Sequence, residues 1–274
     1  LVSTDGDREC HNKYRVYPNG KGSFDDFVKS LSNLKQVQKN ITARLTFTPE
    51  TVQYLAHNHD ILFNNYGFKG IAATPVLETE WNQASLDEFE EQLYELVGLF
   101  LEHWKNGRFL RIRILERDII DLTRIPEKFD SVYPCSAGRS LAAVSTDGKI
   151  YPCHRFVGID GFETGDIYNG INVSKRAKFW EPSVQDSSSC NPEGCENCEI
   201  RDVCRGVCYM SNYDITGNIQ TPPRIHYELK SRTVKVASKL LNHMLEEEKE
   251  LFARILDVEN DEVYSMLSHI QGAY

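Results

Sequence analysis

Four cysteines fall within fourteen residues, Cys195-Glu-Asn-Cys198-Glu-Ile-Arg-Asp-Val-Cys204-Arg-Gly-Val-Cys208, separated by two, five and three residues. Thiolates are soft ligands that suit zinc or iron-sulfur clusters, and both need several cysteines delivered from short loops. Cys190 precedes the run by five positions, and Cys135 and Cys153 lie further upstream. Seven thiolates exceed what one metal takes. Two tetrahedral zinc sites would want eight protein ligands, which His154 or His226 could complete, whereas two cubane clusters work with seven if one iron stays open to solvent or substrate. Spacing alone leaves zinc and iron-sulfur both open. The eighth cysteine, Cys10, stands apart and reads as a small core hydrophobe.

Elements must bring these thiols together. Residues 141–145 and 149–151 flank Thr146-Asp147-Gly148 and predict a hairpin with an Asp-Gly turn, carrying Cys135 at one end and Cys153 at the other. Upstream the pattern is different. Residues 23–34 (SFDDFVKSLSNL) have a Ser cap, an acidic first turn and apolar positions at helical spacing. Residues 41–47 (ITARLTF) alternate and are rich in β-branched types, which predicts a strand, and Pro49-Glu50-Thr51 starts another helix. A buried strand over 67–76, an amphipathic helix over 85–104 and a further strand over 110–115 complete an alternation that implies βαβ units, a parallel sheet and the α/β class. The pattern turns rich in Cys, Gly and turn residues near Asp130, which places a domain boundary there. Residues 227–255 and 261–270 read as charged amphipathic helices.

Composition narrows the function classes. At 274 residues, 41% hydrophobic and 26% charged, the chain can bury a sizeable core. A net charge of -9 without a basic cluster argues against nucleic acid, and no apolar run approaches the roughly 18 residues that cross a bilayer. A chain of this size needs no disulfide staples and has no secretory segment, so the thiols read as ligands and the cytoplasm is the expected location.

The order Cys135, twelve residues, Gly148, four residues, Cys153, a gap and then the two-five-three run resembles the SPASM domain of radical S-adenosylmethionine (radical SAM) enzymes. The stretches YPCSAGRSLAAVSTDGKIYPCHRFVG and TGDI resemble the hairpin region of SPASM peptide maturases, and STDGDRECHNKYRVYPNGKGSFDDFV with ITARLTFTPE resembles the middle of the radical SAM barrel. The resemblance implies that residues 1–129 form the C-terminal part of a partial (β/α) barrel. Residues 130–230 would form the SPASM domain, and 231–274 a helical extension. It implies two auxiliary 4Fe-4S clusters, with Cys135, Cys153 and Cys208 on the first and Cys195, Cys198 and Cys204 on the second. Ser3, Arg15 and Arg44 at the barrel rim would contact the ribose and carboxylate of S-adenosylmethionine; an exposed salt bridge is the other reading of each arginine. The complete enzyme would carry a third 4Fe-4S cluster, act on a ribosomally made peptide with a leader sequence by oxidation or thioether crosslinking, and take electrons from a ferredoxin or flavodoxin.

Three departures from the pattern matter. No Cys-x3-Cys-x2-Cys occurs, which implies a fragment that generates no radical by itself. No cysteine follows Cys208, so Cys190 is the substitute fourth ligand of the second cluster, with His226 and Tyr227 near the position of the missing one. Sulfatase maturases of this family place an Asp after the hairpin cysteine; here it is His154, either a catalytic base or a donor to a cluster sulfur. The competing readings are a noncatalytic, metal-stabilised peptide-binding module and a sulfatase-maturase-type enzyme. Of the remaining residues, His11 is expected to orient its loop and His57 and His59 to lie at a solvated helix end. The run Glu246-Glu247-Glu248-Lys249-Glu250 is a solvated face or a dock for a basic leader.

Overall fold

The structure is a computed structural model in which residues 1–38, 40–123, 133–181, 190–191, 194–201, 203–204 and 206–247 are described. Contacts divide the chain into two units, Leu1–Ile125 with Ser231–Tyr274, and Pro126–Lys230.

In the first unit, β1 (Val2–Ser3), α1 (Arg8–Tyr14), α2 (Phe24–Val37), β2 (Thr42–Phe47), α3 (Leu55–Asn64), β3 (Gly70–Pro75), α4 (Gln83–Lys105), β4 (Arg111–Ile112) and α5 (Arg113–Thr123) follow one another. The strands pair in sequential order, all parallel. Parallel strands joined by helices form one wall of a (β/α) barrel. Alternation sets the two faces of that wall. Ala43, Leu45, Phe47, Ile71 and Ala73 are buried, and Phe47 stacks on Phe89 of α4 with ring centroids 5.6 Å apart. Ser3, Arg44 and Thr74 on the opposite face are exposed. The start of the long helix follows from local chemistry: the Asn82 side chain accepts the Ser85 N–H at 2.9 Å while the Ser85 hydroxyl oxygen accepts the Asn82 N–H at 3.1 Å.

Two expectations are corrected here. Residues 110–115 are not one strand: only Arg111–Ile112 pairs with β3, and α5 begins at Arg113. Buried Ile112, Leu115 and Ile119 recur at helical spacing, and this longer pattern outweighs the alternation of a short stretch. His59 is not at a solvated helix end but fully buried within α3, its Nδ1 donating to the Leu55 carbonyl at 2.7 Å. His57 does face solvent, 3.8 Å from Asp7.

The second unit holds β5 (Ala143–Val144), β6 (Lys149–Tyr151), β7 (Gly165–Asp166) and β8 (Gly170–Ile171), then α6 (Val173–Arg176) and α7 (Tyr209–Thr216). The four strands form an antiparallel meander. The expected hairpin is β5–β6, and its turn needs Gly148, whose φ is 82°. The core beneath it is aromatic: Tyr151, Phe156, Phe162, Phe179 and Tyr209. Last comes α8 (Arg224–Glu247), which starts in this unit and continues into the stretch belonging to the first. The expected helix at 261–270 and residues 248–255 of its predecessor lie outside the described residues, as do the side chains of the acidic run. No helix among the described residues is long and apolar enough to cross a membrane.

Candidate functional site

All eight cysteines are free thiols, and the seven of the second unit sort into two sets. Cys135, Cys153 and Cys208 pack against the aromatic core. Burial pushes the Cys135 thiol pKa up and proximity to Cys208 and Cys153 adds to it, while backbone N–H groups of Ala137 and Tyr209 donate to its sulfur and partly offset the rise. The elements explain the meeting. Cys153 ends the hairpin, Cys208 is the N-cap of α7, and the Gly138 N–H bonds to the Pro152 carbonyl at 2.9 Å, folding the Cys135 loop back onto the hairpin. Gly138 has φ 65°, and a Cβ there would meet Phe179 at 2.7 Å, so this return needs glycine. The Arg155 guanidinium donates to Cys208 Sγ at 3.4 Å and to Ser211 Oγ at 2.8 Å.

Cys190, Cys195, Cys198 and Cys204 form the other set. Burial pushes the Cys190 thiol up to about 12, with Cys204, Cys195 and Cys198 each adding to the rise and the Tyr227 N–H easing it. Burial likewise raises Cys204, against which the Gly206 N–H donates at 3.4 Å and Lys230 places a positive charge. Tight turns bring the sulfurs round: the Cys198 N–H reaches the Cys195 carbonyl at 3.4 Å and the Cys204 N–H the Ile200 carbonyl at 2.8 Å, over buried Ile200 and Val203. His226, in the first turn of α8, lies with Nε2 3.5 Å from Cys204 Sγ, and burial lowers its pKa to about 3.

Among the described residues no group of three or more of these side chains is preassembled to hold a single metal ion. The donor sets fit clustered iron all the same. Buried thiols that raise one another's pKa are relieved when cations bind them as thiolates. Tyr209, wholly buried, has no hydrogen-bond partner for its hydroxyl among the described residues and lies near Cys135, where a cluster sulfide would accept it.

The residues expected at S-adenosylmethionine separate into two environments. Ser3 and Arg44 stand in register on adjacent strands, on the open face with Thr46 and Thr74 along β2 and β3. Arg15 instead grips the buried Asp5 through Nε at 2.6 Å and Nη2 at 2.8 Å, and Asp5 also accepts the Thr46 N–H at 2.9 Å. Small polar side chains with one exposed guanidinium fit a ligand carrying hydroxyls and a carboxylate. His154 is exposed in a short 3₁₀ turn after Cys153. Sequence reasoning did not find Asp5, Arg155 or the Tyr209 hydroxyl. Only Asp5, at the end of a strand and near an arginine in sequence, carried a usable signal.

The chain combines a parallel α/β sheet with a cysteine-rich unit carrying two thiol sets, and solved structures share its fold. Native anSMEcpe with bound AdoMet superposes with a TM-score of 0.63 at 17% identity, over 88% of this chain and 66% of that one. The polyhistidine-tagged form of anSMEcpe with bound AdoMet gives 0.63 at 16% identity, over 97% and 68%. In sequence the chain is similar to a cysteine-type anaerobic sulfatase-maturating enzyme of Clostridium novyi, 25% identical over an alignment of 224 residues that covers 76% of this chain and 56% of that protein. An uncharacterized protein of Archaeoglobus fulgidus is 26% identical over 208 residues, 74% of this chain and 49% of that protein. The chain thus spans about half the length of these curated relatives. No protein-family model matches it.

Proposed function

We propose that this chain is the cluster-bearing part of a radical SAM maturase that oxidises a cysteine side chain in a peptide or protein. The observation that carries the reading is the sorting of seven thiols into a three and a four. Cys190, Cys195, Cys198 and Cys204 would close one 4Fe-4S cluster; Cys135, Cys153 and Cys208 would hold another with one iron free for a substrate thiolate. The similarity to the Clostridium novyi enzyme supports cysteine as the target, and a solved anSMEcpe structure with AdoMet and the Cp18Cys peptide, TM-score 0.63, supports a peptide as the substrate. When bound, S-adenosylmethionine and the clusters supply the hydrogen-abstracting radical and a path for electrons. This chain's own residues bind and orient. Arg44 would hold the S-adenosylmethionine carboxylate and Ser3 a ribose hydroxyl, while the Asp5–Arg15 pair fixes the strand ends behind them. Arg155 would stabilise the Cys208 thiolate, and exposed His154 would take a proton from an oxidised side chain. A low-potential donor such as a ferredoxin or flavodoxin, a leader-bearing substrate and a reducing cytoplasmic setting that preserves the thiols belong to the same reading.

His154, standing where maturases of the sulfatase type carry an aspartate, favours a second reading, thioether formation from a substrate thiol. One experiment separates them. The gene product carrying this chain, reconstituted anaerobically with iron and sulfide, is given S-adenosylmethionine, reductant and a cysteine peptide. Cysteine oxidation yields 5′-deoxyadenosine together with a peptide that has lost its cysteine sulfur. A peptide that keeps its sulfur but loses its free thiol selects the thioether reading, and absence of 5′-deoxyadenosine refutes both.

A further inference from the structure

The first turn of α8 converges on the second thiol set: the Tyr227 backbone N–H donates to Cys190, His226 Nε2 lies 3.5 Å from Cys204 Sγ, and Lys230, one turn on, places its charge near Cys204. Four thiolates already complete a cubane. Each iron takes one external ligand, so ligands of one cluster point to different corners. A ring nitrogen within hydrogen-bond reach of a thiolate sulfur shares that thiolate's corner and acts on the sulfur. The His226 ring is buried, and Nε2 is the ring atom that faces the Cys204 sulfur. From this we infer that His226 is a positioning residue that donates Nε2–H to Cys204 and sets the reduction potential of the second cluster. A hydrogen bond to a cysteinyl sulfur draws negative charge off the cluster and favours its reduced form. The Gly206 N–H supports the same sulfur.

This inference rests on the two-cluster reading above. It is tested in the anaerobically reconstituted gene product by iron and sulfide analysis with EPR-monitored redox titration of wild type, His226→Leu, His226→Gln and Cys190→Ala. His226→Leu is expected to keep wild-type iron and sulfide, to move the second cluster to a more negative potential and to leave the first unmoved. His226→Gln, whose amide N–H reaches a similar position, is expected to restore most of the shift. An unmoved potential in His226→Leu, or a glutamine variant no different from leucine, overturns the inference while leaving the clusters in place. Loss of the second cluster in His226→Leu with retention in Cys190→Ala makes His226 a ligand and also overturns it. Absence of clusters from wild type overturns the two-cluster reading with it. If His226→Leu does not fold, ¹⁵N-histidine labelling of wild type decides by pulsed EPR of the reduced second cluster. Weak coupling through a hydrogen bond supports the inference; strong coupling of a bonded nitrogen, or none, contradicts it.

Discussion

Arg15 and Arg44 look alike in the sequence, two arginines expected at the barrel rim, and the structure gives them opposite work. Arg15 neutralises Asp5, whose side chain is 5% exposed, through two short hydrogen bonds. Removing it strands a buried carboxylate, so Arg15→Leu is expected to destabilise the chain by about 3 kcal/mol in urea unfolding. Arg44 is exposed, and its guanidinium has no hydrogen bond or ion pair among the described residues. Arg44→Leu should therefore leave stability within about 0.5 kcal/mol of wild type. Loss of a charged hydrogen bond worth about 1.5–3 kcal/mol should weaken S-adenosylmethionine binding roughly 10–100-fold by calorimetry. If the two variants exchange these phenotypes, the roles assigned to the open face are wrong. Sequence could nominate both arginines but not separate them, because Asp5 meets Arg15 only after α1 has turned the chain back.

Helix α3 carries a buried imidazole with a consequence for pH. His59 Nε2 has no hydrogen-bond partner among the described residues, and burial lowers its pKa from 6.5 to about 4 although the Leu55 carbonyl holds Nδ1. Between those values the unfolded chain binds a proton that the folded chain refuses. Stability is therefore fully present above about pH 6.5 and falls as pH drops toward 4, by about 3 kcal/mol at 1.36 kcal/mol per pH unit. Urea midpoints of wild type should fall over that window more steeply than those of His59→Leu; parallel slopes would place the acid sensitivity elsewhere. The same scale shows what patterning could read. Strands β2 and β3, long enough for their alternation to register, and α4, with a full cap and several turns, were legible. The two-residue strands β1, β7 and β8 were not, because each exists only through its partner's hydrogen bonds. His59 was misplaced for a related reason: burial of a polar side chain in mid-helix depends on the neighbouring helix, which sequence does not position.

Across the whole molecule, cysteine spacing carried the most information, since loops that gather several thiols leave fixed gaps. The resemblance carried by that spacing implied two sets and nominated Cys190 for the second, but spacing alone fixed neither, because only the folded turns bring Cys190 near Cys195, Cys198 and Cys204. Nor could it place α8, whose later turns return to the first unit through Lys235 with Glu90 and through Lys239 with the Tyr94 hydroxyl at 2.8 Å. Contacts between residues that far apart in the chain have no local signature. Whether the thiols make two independent cluster sites is decided by iron and acid-labile sulfide after anaerobic reconstitution of wild type, Cys153→Ala and Cys198→Ala, each checked for folding. Two clusters are expected in wild type, about one in each variant, and different EPR signals surviving in the two. Zinc as the sole bound metal, or identical signals surviving in both variants, would contradict the two-site assignment.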